Sequence, residues 1–363
     1  MISQFCYSEN TPEISILTCS PGDEVYSVFG HSAIRIKDEN QSLDLVYNFG
    51  MFDFESPNFT FKFIKGKLMY YLGVQKTEDF IEQYTNENRL VTEQKLILSE
   101  KQKNEIITKL NFLYKPENRK YYYSFLEKNC STEIRDLLRD IDDNLPKEDL
   151  GVSYRELINN HLTNHLWLRF GTNLMLGNSL DRNSNSFGSM FLPINLKEEI
   201  SNSYLNGRPL VKSEQILNRI EKKKIGDFKY WFSPIVTFSL IFLLFLFWFP
   251  RQIELTVIVI NGGIGLVISL MWLFSDHPEV RDNLNILWCN PLYLLYIPSA
   301  VKNKANIVLT FVLVTSLLST VLVWLINLQS FDIAIIPILL ILGILNYKRI
   351  RRMAMTKYKN KDV

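Results

Sequence analysis

Cysteine and histidine are scarce in this chain, and one of each stands where nucleophilic chemistry could be built. Cys130 lies in the sequence EKNCST, residues 127–132, where an irregular segment meets a predicted helix. A helix N-terminus carries partial positive charge and free N–H groups, which favour a thiolate and can stabilise an oxyanion. Lys128 adds a cation nearby in sequence. Because His31 follows Gly30 at the start of a predicted strand, the two side chains are predicted to form a Cys–His nucleophilic pair.

The plainer interpretation of each residue is structural, since a lone cysteine is usually a small buried hydrophobic side chain. Cys19 is the rival thiol; no helix follows it, and it is expected to be structural. Cys6 lies in a start expected to be disordered, and Cys289 lies in an interrupted apolar segment. A disulfide between Cys19 and Cys130 would block the nucleophile, so we expect Cys130 to be free.

Metal and nucleotide sites are not indicated by the sequence. It contains no CxxC, HExxH or acidic metal loop, and neither GxGxxG nor a P-loop pattern. His161 and His165 share a helical face at i, i+4, but no third ligand accompanies them, and an exposed face is the simpler interpretation. We therefore expect no metal and no cofactor.

The overall composition is that of an ordinary globular protein, but it averages two unlike halves. The 363 residues carry a net charge of +2, and 47% are hydrophobic and 21% charged; the mean hydropathy is −0.00. These values exclude a disordered, collagen-like or disulfide-rich chain, and the near-neutral charge gives no indication of nucleic-acid binding. Residues 1–229 have scattered charge and short apolar runs, whereas long uncharged runs follow Tyr230.

The C-terminal half is predicted to be a membrane domain, because crossing the hydrocarbon core takes about 20 apolar residues. The candidate spans are residues 231–250, 253–274, 305–328 and 333–347. A further apolar segment, 284–301, is interrupted by Asn290, Pro291 and Pro298, and we expect it to span as a kinked helix or to re-enter. About five helices are therefore predicted over residues 230–347.

Basic residues predict the orientation of this domain. The tail at 348–363 is rich in Lys and Arg, and the positive-inside rule places it in the cytoplasm. Counting back through five spans puts Lys302, Lys304 and Arg251 inside and residues 1–229 outside. Lys222–Lys224 oppose this arrangement, although a long translocated domain weakens the rule. With four spans the large domain would be cytoplasmic, so the interrupted segment decides the orientation.

A translocated domain calls for a signal peptide. Residues 1–11 have neither a basic n-region nor an apolar h-region. Either the true start lies upstream or the orientation is inverted, and we expect the first.

The N-terminal half is predicted to be α+β with a small antiparallel sheet. Residues 14–18 alternate as a strand, and 32–37 and 43–49 form a predicted hairpin. Residues 77–87 and 99–113 have helical spacing. Residues 131–141 form a predicted helix with one apolar face, made of Ile134, Leu137, Leu138 and Ile141.

Several motifs, in one order along the chain, resemble those of the Lnb family of membrane-bound lipoprotein N-acyltransferases. They are LTCSPGDEVYSVFGH (17–31), VYNFGMFDF (46–54), KFIKGK (62–67), NCST followed by Arg135 and Asp136, FSDHPEV (274–280) and NILWCNPL (285–292). The likeness covers nearly the whole chain. The absence of a recognisable signal peptide is the one departure from the family.

The resemblance implies a permuted papain-like fold of the NlpC/P60 type for the soluble domain, in which the histidine strand precedes the cysteine helix. The related lecithin:retinol acyltransferases share that order and take acyl chains from phospholipids. It further implies Cys130 as the acyl-accepting nucleophile and His31 as its base. A polar residue on the next strand should orient the imidazole; Asn48 is the first candidate, with Tyr47 and Asp53 as alternatives.

A second polar group lies at the predicted outer membrane surface and is a candidate substrate-binding site. It comprises His277, Asn283, Asn285, Trp288 and Asn290. Polar residues at membrane depth are often functional, and docking of a head group or substrate is one interpretation. Interfacial anchoring, with the tryptophan in the aromatic belt, is the alternative.

The residues and the resemblance together predict a ping-pong N-acyltransferase of the bacterial inner membrane. A phospholipid is the acyl donor, a cysteine thioester the intermediate, and the α-amino group of a diacylated lipoprotein the acceptor. The alternatives are a membrane-anchored NlpC/P60-like cysteine peptidase or amidase of the cell wall, and a non-catalytic membrane sensor. The predicted organisation is an extracytoplasmic catalytic domain (1–229), a membrane domain (230–347) and a basic cytoplasmic tail (348–363), with no nucleic-acid partner.

Overall fold

The computed structural model describes residues 11–53, 55–142, 145–221, 231–247, 250–301 and 306–359. The chain divides into two compact units: Met1–Val152 with Asn183–Lys224, and Ser153–Arg182 with Ile225–Val363. The first is a mixed α+β unit and the second is helical and membrane-like, which confirms the predicted fold classes of the two regions. Cys6, Lys302 and Lys304 lie outside the described residues, as do Lys222–Lys224.

A seven-stranded antiparallel sheet organises the first unit. Its strands are β1 (Glu13–Cys19), β2 (His31–Asp38), β3 (Leu43–Met51), β4 (Met69–Lys76), β5 (Val91–Leu96), β6 (Lys120–Tyr122) and β11 (Val211–Ile216). Their order across the sheet is β11-β5-β1-β2-β3-β4-β6. The sequence predicted the first three strands, and the pairing of Asp38 with Leu43 confirms the hairpin between β2 and β3.

Strand β5 shows why the sheet is larger than the sequence indicated. Its residues VTEQKL include Glu93 and Gln94, which are buried although they are polar. Glu93 accepts hydrogen bonds from Ser15 and Gln215, both at 2.6 Å, and pairs with Arg35 at 2.9 Å. A buried carboxylate is tolerated only when it is satisfied in this way. The partners come from other strands, so the local pattern does not reveal the strand.

Most of the helices described in the first unit pack on the sheet, and one of them begins next to β2. The described helices are α1 (Phe59–Ile64), α2 (Thr77–Asn86), α3 (Glu100–Tyr114), α4 (Cys130–Ile141), α7 (Ser186–Ser189) and α8 (Pro193–Ser201). The predicted helices at 77–87, 99–113 and 131–141 correspond to α2, α3 and α4. Ile134, Leu137 and Leu138 of α4 are buried in the main core with Ile34 of β2 and Phe49 of β3.

The remaining strands are short and form two small ribbons. Strand β7 (Asp149–Ser153) pairs with β8 (Asn183–Asn185), and β9 (Tyr204–Leu205) pairs with β10 (Arg208–Pro209).

The second unit is helical. Its helices are α5 (Tyr154–His161), α6 (Leu166–Met175), α9 (Pro234–Phe247), α10 (Arg251–Phe274), α11 (Leu292–Leu295), α12 (Ile297–Val301), α13 (Ile307–Leu325) and α14 (Ile335–Lys359). Among the described residues, α10 and α13 are long and apolar enough to cross a membrane. The pair Pro278–Leu287 and Leu292–Val301, bent by 43°, makes a third if it counts as one span.

The membrane helices follow the predicted spans, with two differences at their ends. The segment predicted at 284–301 is broken, as its asparagine and prolines indicated, and begins earlier, at Pro278. The last predicted span, 333–347, does not end at a break before the basic tail, because α14 continues without interruption through Lys348 to Lys359. The predicted count of five spans stays a prediction.

Residues 153–182 belong to the second unit, whereas the sequence led us to expect one soluble domain over 1–229. Two buried asparagines contribute to this division into units. The side-chain amide of Asn283 donates to the carbonyl of Leu174 at 2.9 Å, and that of Asn285 donates to the carbonyl of Asn173 at 2.9 Å. The backbone N–H of Gly177 also donates to the carbonyl of Glu279 at 2.8 Å. These are contacts between distant segments, which composition does not show.

Helix α10 packs against the broken segment through a close backbone approach. The amide of Asn261 donates to the carbonyl of Trp288 at 2.7 Å. One turn further on, a Cβ atom added at Gly265 would collide with the carbonyl oxygen of Cys289. Small residues allow membrane helices to approach in this way.

We predict that Gly265→Ala destabilises the protein, because the added methyl group must displace the backbone at Cys289. Overpacking of this kind costs about 1–3 kcal/mol. Gly263→Ala on the same helix is the matched control, since a Cβ there meets no atom within 4 Å. The measurement is the thermal unfolding of both variants in detergent. Equal unfolding temperatures would show that α10 does not approach the broken segment this closely.

Candidate functional site

Asn129 starts helix α4 and thereby places Cys130. Its side-chain Oδ1 accepts hydrogen bonds from the backbone N–H groups of Ser131 at 2.8 Å and Thr132 at 3.0 Å. The hydroxyl of Thr132 in turn accepts from the backbone N–H of Asn129 at 2.7 Å. This capping box satisfies N–H groups that a helix start leaves open. The cap is itself anchored, because the Asn129 amide donates to the carbonyl of Phe191 at 2.9 Å.

Cys130 is the first residue of α4, and the residue is partly exposed. The cap occupies the N–H groups of the next two residues. Within the described part of the chain, the backbone N–H of Cys130 itself is left without a hydrogen-bond partner. The sequence predicted several free backbone N–H groups at this helix start. Of these, the structure leaves the N–H of Cys130 itself available.

His31 begins strand β2 and faces the thiol with a defined ring orientation. Its Nε2 lies 2.6 Å from Oδ1 of Asn48, so the Nε2–H donates to that oxygen and Nδ1 is left for the thiol of Cys130. Gly30 makes this entry into the strand possible: its φ is +86°, and a Cβ there would lie 2.7 Å from the carbonyl oxygen of Cys19.

Gly50 forms the wall next to both reactive side chains. A Cβ atom at this position would lie 3.7 Å from Cβ of Cys130 and 3.9 Å from Cε1 of His31. Its φ of +86° falls where the register between β3 and β4 shifts, between Asn48 and Met51. The bulge therefore carries the chain past the pair with no side chain over it.

The two groups shift each other's pKa values towards a charged pair. Burial by itself raises the pKa of the Cys130 thiol, but the charge and hydrogen bond of His31 outweigh it and lower that pKa. The backbone N–H of Ser32 and the hydroxyl of Ser131 contribute in the same direction. Burial lowers the pKa of His31, but the thiolate and the hydrogen bonds to Cys130 and Asn48 raise it overall. Both shifts are in the direction of a thiolate and an imidazolium, the form in which a cysteine attacks.

Behind the imidazole lies an aromatic residue that the sequence did not indicate. The ring of Tyr84 is buried and stacks on His31, with centroids 6.2 Å apart and planes at 11°. The guanidinium of Arg89 lies 4.6 Å from the centroid of the Tyr84 ring. Cys19 packs nearby, and burial raises the pKa of its thiol well above the ordinary value. The rival thiol is thus an inert core residue, as expected.

Tyr121 of β6 is a second residue near the pair that no sequence motif indicated. Its hydroxyl is buried close to the backbone of Gly50. Burial raises the pKa of this hydroxyl, and the negative charges of Glu133 and Cys130 raise it further. The hydroxyl therefore stays protonated beside the site.

Comparison with known protein families agrees with the two-unit architecture. Residues 6–160 match the family model described as the Lnb N-terminal periplasmic domain, and residues 229–357 match the Lnb transmembrane domain. The chain belongs to the Lnb family. It is accordingly a membrane protein with a periplasmic N-terminal domain. No curated protein and no solved structure matches it.

The periplasmic domain of this Lnb-family chain brings together Cys130, His31 and Asn48, three residues singled out in the sequence. The two alternatives to Asn48 lie elsewhere. The hydroxyl of Tyr47 donates to Oδ1 of Asn111 at 3.1 Å, and a side-chain oxygen of Asp53 accepts from the backbone of Glu55 at 2.9 Å. No group of three or more His, Cys, Asp or Glu side chains suited to a metal ion occurs in the described ranges.

In the transmembrane domain of this Lnb-family chain, three of the predicted substrate-binding residues have internal partners. Trp288 is 1% exposed and donates from Nε1 to Oδ1 of Asn285 at 2.8 Å. The amide of Asn290 donates to the hydroxyl of Ser316 at 3.0 Å. These contacts are internal to the protein, and the aromatic-belt position given as the alternative for Trp288 does not fit its burial. His277 lies 4.0 Å from Glu279, and its predicted role in binding stays a prediction.

We predict that alkylation of Cys130 by iodoacetamide follows an apparent pKa below that of an ordinary thiol and depends on His31. In His31→Ala the thiol pKa should rise, and each unit of rise lowers the thiolate fraction near neutral pH about tenfold. His161→Ala is the matched control, since His161 contacts the carbonyl of Leu157 instead. Mass spectrometry of the alkylated peptide measures the rate. An unchanged pH profile in His31→Ala would refute the pairing.

Asn48→Ala is expected to lower the pKa of His31, because the hydrogen bond from Nε2 to Asn48 helps to raise it. The imidazolium would then lose its proton at lower pH, and because its charge lowers the pKa of the Cys130 thiol, that thiol pKa should rise. With four histidines in the chain, ring resonances of a histidine-labelled sample can follow this titration. The exposed Asn104→Ala on α3 is the control. A pKa of His31 equal in both variants would contradict the orienting role.

Proposed function

We propose that this chain is a thiol-dependent N-acyltransferase that moves an acyl chain from a phospholipid, through a Cys130 thioester, to the N-terminal α-amino group of a diacylated lipoprotein. The observation that carries the proposal is the partly exposed Cys130, paired with His31, in a periplasmic domain joined to a transmembrane domain. Both substrates are lipids confined to a bilayer, which gives the membrane domain a reason to exist.

In the first half-reaction, the Cys130 thiolate attacks the carbonyl carbon of an acyl ester of the phospholipid. The resulting oxyanion needs a donor, and the open backbone N–H of Cys130 is suited to that task. When the intermediate collapses, the C–O bond breaks and the His31 imidazolium gives its proton to the leaving alkoxide. A lysophospholipid departs, and the acyl chain remains on sulfur.

In the second half-reaction, the neutral α-amino group of the acceptor attacks the thioester carbonyl. His31, now neutral, takes the proton from the amine nitrogen, the C–S bond breaks and the thiolate is restored. The hydrogen bond to Asn48 keeps Nδ1 directed at the reaction centre in both halves. The same group thus serves as acid in one step and as base in the next.

The finer features predicted from the sequence fit this proposal. A permuted papain-like fold puts the histidine strand before the cysteine helix, and β2 does precede α4 in the chain. The basic residues of α14 favour a cytoplasmic C-terminus, opposite the periplasmic domain. A cell-wall peptidase or amidase would use the same thiol and imidazole, but it would have no use for a transmembrane domain of this extent.

The test is expression of the chain, with a functional signal sequence, in cells depleted of their own lipoprotein N-acyltransferase. We predict that mass spectrometry of lipoprotein N-termini shows a third acyl chain, and that Cys130→Ala abolishes it. Cys289→Ala is the matched control and should retain activity, because Cys289 is buried in the transmembrane unit. Palmitate bound to Cys130 should be released by hydroxylamine, as a thioester is.

Two results would overturn the proposal. Absence of the third acyl chain with the intact, expressed chain would reject the N-acyltransferase activity. Cleavage of cell-wall peptides by the same preparation would then favour the peptidase. Full activity of Cys130→Ala would reject the thioester mechanism even if the third chain appeared.

A further inference from the structure

A basic cleft in the first unit lies close to the reactive pair along the chain. Its volume is about 780 Å³. The charged residues that line it are Lys62, Lys67, Arg119, Lys120, Asp53 and Glu55. Four cations face two carboxylates, so the lining favours an anion. The mechanism derived above uses none of these residues.

The position of the cleft relative to the thiol follows from strand β3. Phe52 lines the cleft and is two residues from Gly50, whose Cα faces both Cys130 and His31. Two residues of extended chain span at most about 7 Å. The cleft therefore begins within about 7 Å of Gly50, which forms the wall next to Cys130 and His31. A molecule with its reacting carbonyl at Cys130 can place an anionic group a short distance away in the cleft.

Helix α1 contributes Lys62 to the cleft, and its exposed side chains are of the types that contact membrane surfaces. Helix α1 contributes no buried residue, and Phe61, Phe63 and Ile64 are exposed on it at 60%, 45% and 41%. Lysines alternate with them, and Nζ of Lys65 lies 4.7 Å from the centroid of the Phe61 ring. Exposed aromatic side chains among lysines suit the boundary between acyl chains and anionic head groups.

A cation within the cleft lacks a complete set of partners. Nε of Arg119 is buried and has no hydrogen-bond partner among the described residues. Lys62 donates to the hydroxyl of Ser56 at 3.1 Å, which holds its ammonium group at the cleft. Guanidinium and ammonium groups are the usual ligands of a phosphate diester.

We propose that this cleft binds the phosphate of the glycerophospholipid donor while one of its acyl esters lies at Cys130. The inference rests on the proposed function, since it assigns the donor's head group to a place on the periplasmic domain. Phosphate and acyl esters share one three-carbon glycerol, so a phosphate site must lie close to the thiol. The cleft meets that requirement, and its apolar border would let the acyl chains remain in the bilayer.

The test measures binding in the full chain carrying Cys130→Ala, so that the probe is not consumed. The probe is a short-chain phosphatidylglycerol, titrated in an uncharged detergent. The double variant Lys67→Gln with Lys120→Gln should weaken its binding about tenfold or more, because two charge-assisted contacts are lost. The matched control is Lys101→Gln with Lys212→Gln, which removes two exposed lysines outside the cleft and should leave binding unchanged. Thermal unfolding of both double variants confirms that they fold.

Two further probes separate the phospholipid from other ligands of the same chemistry. Diacylglycerol with the same chains lacks the phosphate and should bind weakly, with no sensitivity to the lysine changes. Inorganic phosphate should bind far more weakly than the phospholipid, because it lacks the apolar part. Equal affinity for inorganic phosphate would make the cleft a free-anion site and overturn the lipid assignment. Phospholipid binding that is equal in both double variants would overturn the site.

These outcomes are independent of acyl transfer. If the intact chain adds no third acyl chain to lipoproteins but the lysine-sensitive binding is found, the proposed function fails and the site stands. If acyl transfer occurs and neither binding nor KM for the donor responds to Lys67→Gln with Lys120→Gln, the site fails and the proposed function stands.

Discussion

A thiolate and an imidazolium stabilise each other only when both are held in contact and partly shielded from water, and the first unit of this chain is arranged around that requirement. Burial alone would push each group to its neutral form. The mutual charge of Cys130 and His31 reverses that tendency for both. The reversal depends on the ring being fixed, which the hydrogen bond to Asn48 achieves.

The pair imposes tight conditions on the backbone around it. Gly30 and Gly50 both have φ of +86°, and each passes where a side chain would collide with or cover the site. Asn129 both caps the helix that carries Cys130 and reaches Phe191, a residue far along the chain. The positions of Cys130 and His31 therefore depend on several parts of the fold, and each part contributes a specific contact.

The transmembrane domain follows a different rule, because polar groups in apolar surroundings must find partners inside the protein. Asn261, Asn285 and Trp288 satisfy this rule for the broken segment. Part of the polar cluster seen in the sequence thus supplies hydrogen bonds that a break in a membrane helix requires. The basic cleft of the first unit, by contrast, presents charged groups to an open volume, which is the arrangement that a ligand needs.

The sequence by itself determined the division into a polar and an apolar half, the hairpin of β2 and β3, the helix over residues 131–141, and the choice of Cys130 and His31 as the candidate pair. These features are local: they follow from periodicity, capping residues and the chemistry of rare side chains. Only the tertiary structure decided that Asn48, rather than Tyr47 or Asp53, meets His31. It also decided that residues 153–182 join the membrane unit and that β5 is buried with Glu93 inside. Each of these depends on partners distant in the chain, and a buried polar residue cannot be distinguished from an exposed one until those partners are in place.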